Sequence, residues 1–422
     1  MPHSVFISHQ QQQLSLEIDD SVDLWTNESE GARALGDADF AEAVYQSLQH
    51  PTDYPAVAEG IVPGDVVAIV VDADLPNPVW AIVGALRVLK PLQLDRIDVV
   101  IAEAATEATR SAIRESLPPG IEMTVHCGKS RDDLRYLAAN EAADAIYLNR
   151  RVVDADLVIP ITVMRQTDPL LVSTTTSPVF PSLADYPSQA RARLNVEDVA
   201  VVSPRRRSTS NDEAAQVSWL LGLQWTVAVD VNAMGEPTSV QAGTPQGVTT
   251  RSVSNDENAS VPFAAEIVVV CVDGREQQQS LANVLRAAFV ARGHATPDGS
   301  IVIVSDIKEL GTLIDIEDED FDTGTYEAND DEEGGSEQTP FPSIVSTADH
   351  ARRLLHTLIN DTESSHRYLL YSACDEAEVE SFGFGAIKDQ HALTRLINGH
   401  ESCIVLRNAQ MAPVFMGHQR SS

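Results

Sequence analysis

Val66–Pro78 reads VVAIVVDADLPNP. Six consecutive apolar residues, four of them valine, are too few for a buried helix and lack the alternation of a strand with one wet face. They predict a strand covered on both sides, as in a parallel sheet. Asp72 stands at its carboxyl end, where ligands sit in open α/β sheets. Asn77-Pro78 opens an apolar helix to Lys90, with Asn suited to the cap and Pro to the first helical position. Further strands are expected over Ile97–Ala102, Ile121–His126 and Asp156–Val163. A helix from about Thr106 to Leu117 is stopped by Pro118-Pro119-Gly120. Strand–helix–strand alternation at this spacing predicts an α/β domain with a mainly parallel sheet.

Downstream, Pro169–Ser210 is rich in Ser, Thr and Pro and is read as an extended loop over the surface or a domain cleft. Leu223–Val231, a turn at Met234-Gly235-Glu236-Pro237 and Thr238–Ala242 make a β-hairpin signal. A second α/β unit starts near Ala264, with a strand at Ile267–Val272, a helix at Gln278–Arg292 ending on Gly293, and strands at Ile301–Val304 and Ser402–Leu406. Asp315–Glu337 holds twelve acids and no base, a solvated insertion. The expected organisation is a polar segment 1–15, an N-terminal α/β domain 16–255 and a C-terminal α/β domain 256–422 carrying the acidic insertion at 315–340. A cleft is expected between the two domains.

Composition narrows the function. Acids outnumber bases 63 to 29 among 422 residues, a formal charge of −34, which argues against nucleic acid and anionic membranes as partners. No apolar run reaches the ~18–20 residues of a membrane span. Cys127, Cys271, Cys374 and Cys403 form no CxxC pair, against a disulfide scaffold or zinc ribbon. The opening MPHSVFISHQQQQ has neither a basic nor an apolar leader region, so the chain is expected in the cytoplasm.

Three local patterns fail on inspection. Gly128-Lys129-Ser130 mimics the end of a phosphate loop, but position 123 is Met where that loop needs Gly. The alternating Asp318, Asp320 and Asp322 lack the Gly and Glu of a calcium loop, having Thr323 and Asn329 there. His350 and His356 are six apart, off the helical spacing of zinc ligands.

Taken in order, several stretches resemble the lactate racemase family, nickel-pincer-nucleotide enzymes that racemise or epimerise 2-hydroxy acids. Val66–Pro78 is similar to the family's first strand and its Asp-x-Thr-Arg-Pro-x-Pro loop: Asp72, Pro76 and Pro78 match, while Asp74 and Leu75 stand where Thr and Arg are usual. VHCGKSRDDLRYL (Val125–Leu137), YLNRRVVDADLVIPIT (Tyr147–Thr162), LQWTVAVDVNAMGEPTSVQAG (Leu223–Gly243), EIVVVCVDG (Glu266–Gly274) and PDGSIVIVSDIKELG (Pro297–Gly311) resemble later family segments. The resemblance covers roughly residues 60–315.

That resemblance implies a site between two α/β domains, nickel held by a modified pyridinium nucleotide, and hydride removal from C2 of a hydroxy acid. It also implies two acid–base histidines, a carboxylate-binding arginine, a lysine that tethers the cofactor and a nickel-ligating histidine. Few of these find a counterpart. Leu75 stands for the arginine and Thr106 for the first base. No histidine lies between His126 and His294, and no lysine between Lys129 and Lys308, so no shift of alignment there recovers them. The later lysine of the second domain falls nearest Asn283 or Arg286. Asp72 and His126 persist. Losing one positioned acid–base group costs roughly 10²–10⁴ in rate.

The expectation is therefore a degenerate homologue: no confident catalytic residue, no metal site, no resident cofactor, and a retained cleft lined by Asp72, Asp74 and Thr106 for a small-molecule ligand. One alternative is an active divergent 2-hydroxyacid isomerase using other residues. Another is a non-enzymatic scaffold or sensor whose acidic insertion recruits a basic protein.

Overall fold

A computed structural model of the chain describes residues 3–9, 12–27, 33–140, 143–164, 175–192, 213–232, 234–248, 263–274, 276–311, 352, 354–356, 358–360 and 366–412. The acidic insertion, His350, and the parts of the Ser/Thr/Pro-rich stretch at 169–174 and 193–210 lie outside these.

The fold is α/β with two six-stranded, mainly parallel sheets. The first is built from β4 (Val66–Val71), β5 (Arg96–Ile101), β6 (Glu122–Val125), β9 (Leu157–Val163), β10 (Thr226–Val231) and β11 (Pro237–Gly243) in the order β11-β10-β9-β4-β5-β6. Only β11 runs antiparallel, in the expected hairpin with β10. β4 is central, and every residue after Val66 is buried, as its valine run requires. Helices α1 (Asp37–Gln49) and α2 (Pro78–Leu89) cover one face with an apolar cluster that includes Phe40, Leu48, Leu75, Leu89 and Trp225. Helix α3 (Glu107–Ser116) follows β5.

The second sheet is parallel throughout, in the order β15-β14-β13-β12-β16-β3. Its strands are β12 (Ala265–Cys271), β13 (Ala295–Val304), β14 (Arg367–Tyr371), β15 (Gly385–Ala386) and β16 (Ser402–Leu406), joined at the edge by β3 (Asp23–Thr26). Helix α4 (Leu281–His294) connects β12 to β13. Gly293, expected just past this helix, lies inside it.

Two differences from the sequence reading concern the first 26 residues. The segment 1–15, read as polar and frayed, contributes a strand pair: β1 (His3–His9) pairs antiparallel with β2 (Gln12–Ile18). Val5, Ile7, Leu16 and Ile18 are buried against the second sheet, an alternation masked by the run of glutamines between them. β3, placed by the sequence reading in the N-terminal unit, pairs in parallel with β16. A further antiparallel pair, β7 (Leu134–Ala139) with β8 (Ala145–Asn149), was not anticipated. The described part of the Ser/Thr/Pro-rich stretch is not an open surface loop either. Residues Val179, Phe180, Leu183 and Ala184 are buried, and the short helix Tyr186–Ala192 follows.

Candidate functional site

In the first sheet the strand order reverses beside β4, between β4→β5 and β9. Such a switch point opens a crevice at the carboxyl ends of the strands. Asp72 occupies it. The side chain is buried, its Oδ2 accepting from Thr162 Oγ1 at 2.8 Å and Val163 N–H at 3.3 Å at the end of β9. Its Oδ1 accepts from the Asp74 N–H at 3.0 Å. The carboxylate thus shapes the β4 loop and ties it to the neighbouring strand.

Above this crevice is a cavity of about 1020 Å³, lined by residues that belong to both sheets' connections. The β4 loop gives Asp72 and Asp74, the start of α3 gives Thr106, Glu107 and Arg110, and the buried stretch 177–189 gives Ser177, Tyr186 and Gln189. From the other side come Glu276, Gln279 and Ser280 just before α4 and Arg286 within it, then Asp306, Lys308 and Glu309 after β13, and Arg352. All three residues expected in the cleft, Asp72, Asp74 and Thr106, line this one space.

Their local bonds restrict what they can do. Thr106 is the N-cap of α3, its Oγ1 accepting from the Thr109 N–H at 3.2 Å. A hydroxyl used as a cap satisfies an otherwise orphaned helix N–H and has no base character. Asp74 Oδ2 is 2.8 Å from Arg286 Nη1, and Asp74 C=O accepts from Gln278 Nε2 at 3.2 Å. Leu75, expected from the sequence resemblance to stand for a carboxylate-binding arginine, is not among the residues lining the cavity. It is fully buried in the core of the first sheet.

His126 is also structural. Its ring is fully buried, with Nε2–H donating to Ala184 C=O at 2.8 Å and Nδ1 accepting from Asn149 Nδ2 at 3.2 Å. Burial holds its pKa below the ordinary histidine value, only partly opposed by the Ala184 bond. Glu103 accepts from Tyr186 OH at 3.1 Å, and Arg110 Nη2 donates to the Glu103 C=O.

Sequence reasoning missed His9. The last residue of β1 is buried, with Nδ1 3.1 Å from Asp306 Oδ1 and its ring centroid 4.1 Å from that of Tyr371. The signal available was the apolar alternation of Val5 and Ile7, which fixes His9 on the same inward face of a strand.

The second sheet has its own switch point, between β12 and β16, and there an ion pair fills the crevice. Arg407 donates to both carboxylate oxygens of Asp273, at 2.9 and 2.8 Å, and the Asn408 N–H adds a bond at 2.6 Å. Burial raises the Asp273 carboxyl pKa against the pull of Arg407.

Across the cavity wall seven carboxylates face four cationic side chains. Among the described residues, no three His, Cys, Asp or Glu side chains come together as a metal-holding group, and no helix is long and apolar enough to cross a membrane.

Comparison with known proteins agrees with this architecture. Residues 9–166 match the lactate racemase N-terminal domain. The lactate racemase apoprotein from Thermoanaerobacterium thermosaccharolyticum has a similar structure, with a TM-score of 0.68 at 12% identity over 99% of this chain and 100% of that one. A structural-genomics protein from Thermotoga maritima is similar at a TM-score of 0.62 and 10% identity, over 92% of this chain and 100% of that one. At such identities the likeness is one of fold. Among curated proteins none matches.

Proposed function

We propose that this chain, whose N-terminal region is a lactate racemase domain on a lactate racemase fold, keeps the family's cavity as a small-molecule site and does not perform the family's hydride transfer. The single observation that carries the reading is Leu75. Where a carboxylate-binding arginine is expected, an aliphatic side chain is turned into the core.

The residues present do not fit the nickel-pincer nucleotide. Thr106 caps a helix where a base is needed. The whole interval from His126 to His294 supplies no imidazole, and that from Lys129 to Lys308 no amine. His126 has both ring nitrogens engaged in the protein interior. Within those intervals tethering and nickel ligation lack a donor of the right chemistry, so no step is derived through the group.

What the cavity can do is bind. It is large enough for a metabolite-sized molecule and richer in carboxylates than in cations, which favours an uncharged or cationic ligand over a hydroxy acid. The test is lactate racemisation after co-expression with the enzymes that assemble the cofactor. The expected result is no turnover above a cofactor-free control. Sustained interconversion of D- and L-lactate would establish the competing reading, a divergent isomerase.

A further inference from the structure

Asp74 places a carboxylate beside a guanidinium in the cavity wall. Its N–H is held by Asp72 Oδ1 at 3.0 Å and its C=O by Gln278 Nε2 at 3.2 Å. These contacts pin the β4 loop to the approach of α4 and aim the side chain at Arg286. Arg286 Nη1 donates to Asp74 Oδ2 at 2.8 Å and to Asn283 Oδ1 at 2.7 Å. The two charged side chains are only 8% and 16% exposed, and both line the cavity. By contrast, the Lys308–Glu276 pair on the same wall is 74% and 68% exposed, so water screens it.

We infer that Asp74 is a specificity-determining residue: an internal counter-ion that closes the buried Arg286 to carboxylate ligands and reserves the cavity for uncharged or cationic molecules. The physical reason is competition. A carboxylate tethered on a pinned loop has an effective concentration in the millimolar range or above, and a partly buried charge-assisted bond to guanidinium is stronger than a neutral one. A free monocarboxylate meets Arg286 Nη1 only by displacing it. Leu75, in the core, offers no second guanidinium on the β4 loop. The inference rests on the reading of this cavity as a ligand site.

The experiment is calorimetric titration of the full chain with D- and L-lactate, without nickel or nucleotide, comparing wild type, Asp74→Ala and Asp74→Ala/Arg286→Gln. Asp74→Ala is expected to bind lactate at least about tenfold more tightly than wild type, one charge-assisted bond's worth, and Arg286→Gln added to it should abolish the gain. Equal affinity of wild type and Asp74→Ala, or a gain that survives Arg286→Gln, overturns the inference. Thermal melts check folding. Asp74→Asn, which keeps the volume and removes the charge, replaces the alanine variant if that unfolds, and unfolding of both makes Asp74 a structural pin and also overturns it. Binding is read without turnover, so a wild type that racemises lactate sinks the functional reading, whereas an absent gain sinks only the role of Asp74.

Discussion

At the scale of single residues, His126 shows how an ionisable group can be claimed by the fold. Its carbonyl and carboxamide partners fix one neutral tautomer, and burial lowers its pKa. The unfolded chain, with a histidine pKa near 6.5, therefore takes up a proton at a higher pH than the folded chain does. The stabilisation is fully present above that value and is lost as pH falls through it toward the folded pKa, at up to about 1.4 kcal/mol per pH unit. Urea unfolding between pH 7.5 and 5.5 should show this decline, and His126→Gln should flatten it. Some slope remains from His366, also lowered by burial. An unchanged slope would mean that His126 is solvated. The types of residue at the site, Asp72, Asp74 and Thr106, were legible in the sequence, and so were the missing His and Lys. Direction was not: nothing local says that Thr106 caps a helix, that Leu75 turns into the core, or that Asp74 meets a guanidinium more than 200 positions away.

Among elements, α1 and α2 cross closely. A Cβ on Gly84 would lie 2.4 Å from the Ala41 backbone O and 2.7 Å from Val44 Cβ, so the helices meet backbone to side chain at that glycine. Gly84→Ala gains helix propensity of up to about 1 kcal/mol, but overpacking costs roughly 1–3 kcal/mol. The variant should unfold at lower urea, and an unchanged or higher midpoint would contradict this crossing. Elements with long apolar runs, β4, β9 and β12, were readable because burial on both faces leaves nothing else for such runs to do. Those built on weaker or discontinuous signals were not. β1 and β2 hide five buried residues among glutamines and serines, and β3 finds its partner nearly 380 residues later. At the start of α2, Asn77 has the sequence of a cap, yet it sits in the left-handed region at φ 48° with no capping bond from its side chain.

The molecule as a whole is joined where its second sheet meets its first. Besides Asp273, Arg407 contacts Phe6 C=O and Ser8 Oγ of β1 at 2.5 and 3.2 Å. Asn408 donates to Asn232 C=O in the β10–β11 turn at 2.9 Å. One ion pair thus ties the strand ends of the second sheet to the N-terminal hairpin, while its neighbour reaches the first sheet. Arg407→Met leaves Asp273 buried and uncompensated and should cost about 3–5 kcal/mol, with part of that recovered by Asp273→Asn in the double variant. A loss under about 1 kcal/mol, as for exposed pairs, would contradict the buried linkage. No sequence pattern announces this pair, since its partners lie 134 positions apart.

The central claim, a lactate racemase fold without the means to hold the family's cofactor, is tested most directly by nickel analysis and intact mass after co-expression with the cofactor-assembling enzymes. The account predicts an unmodified chain mass and nickel far below one ion per chain. A mass increase matching the tethered nucleotide, together with stoichiometric nickel, would contradict it.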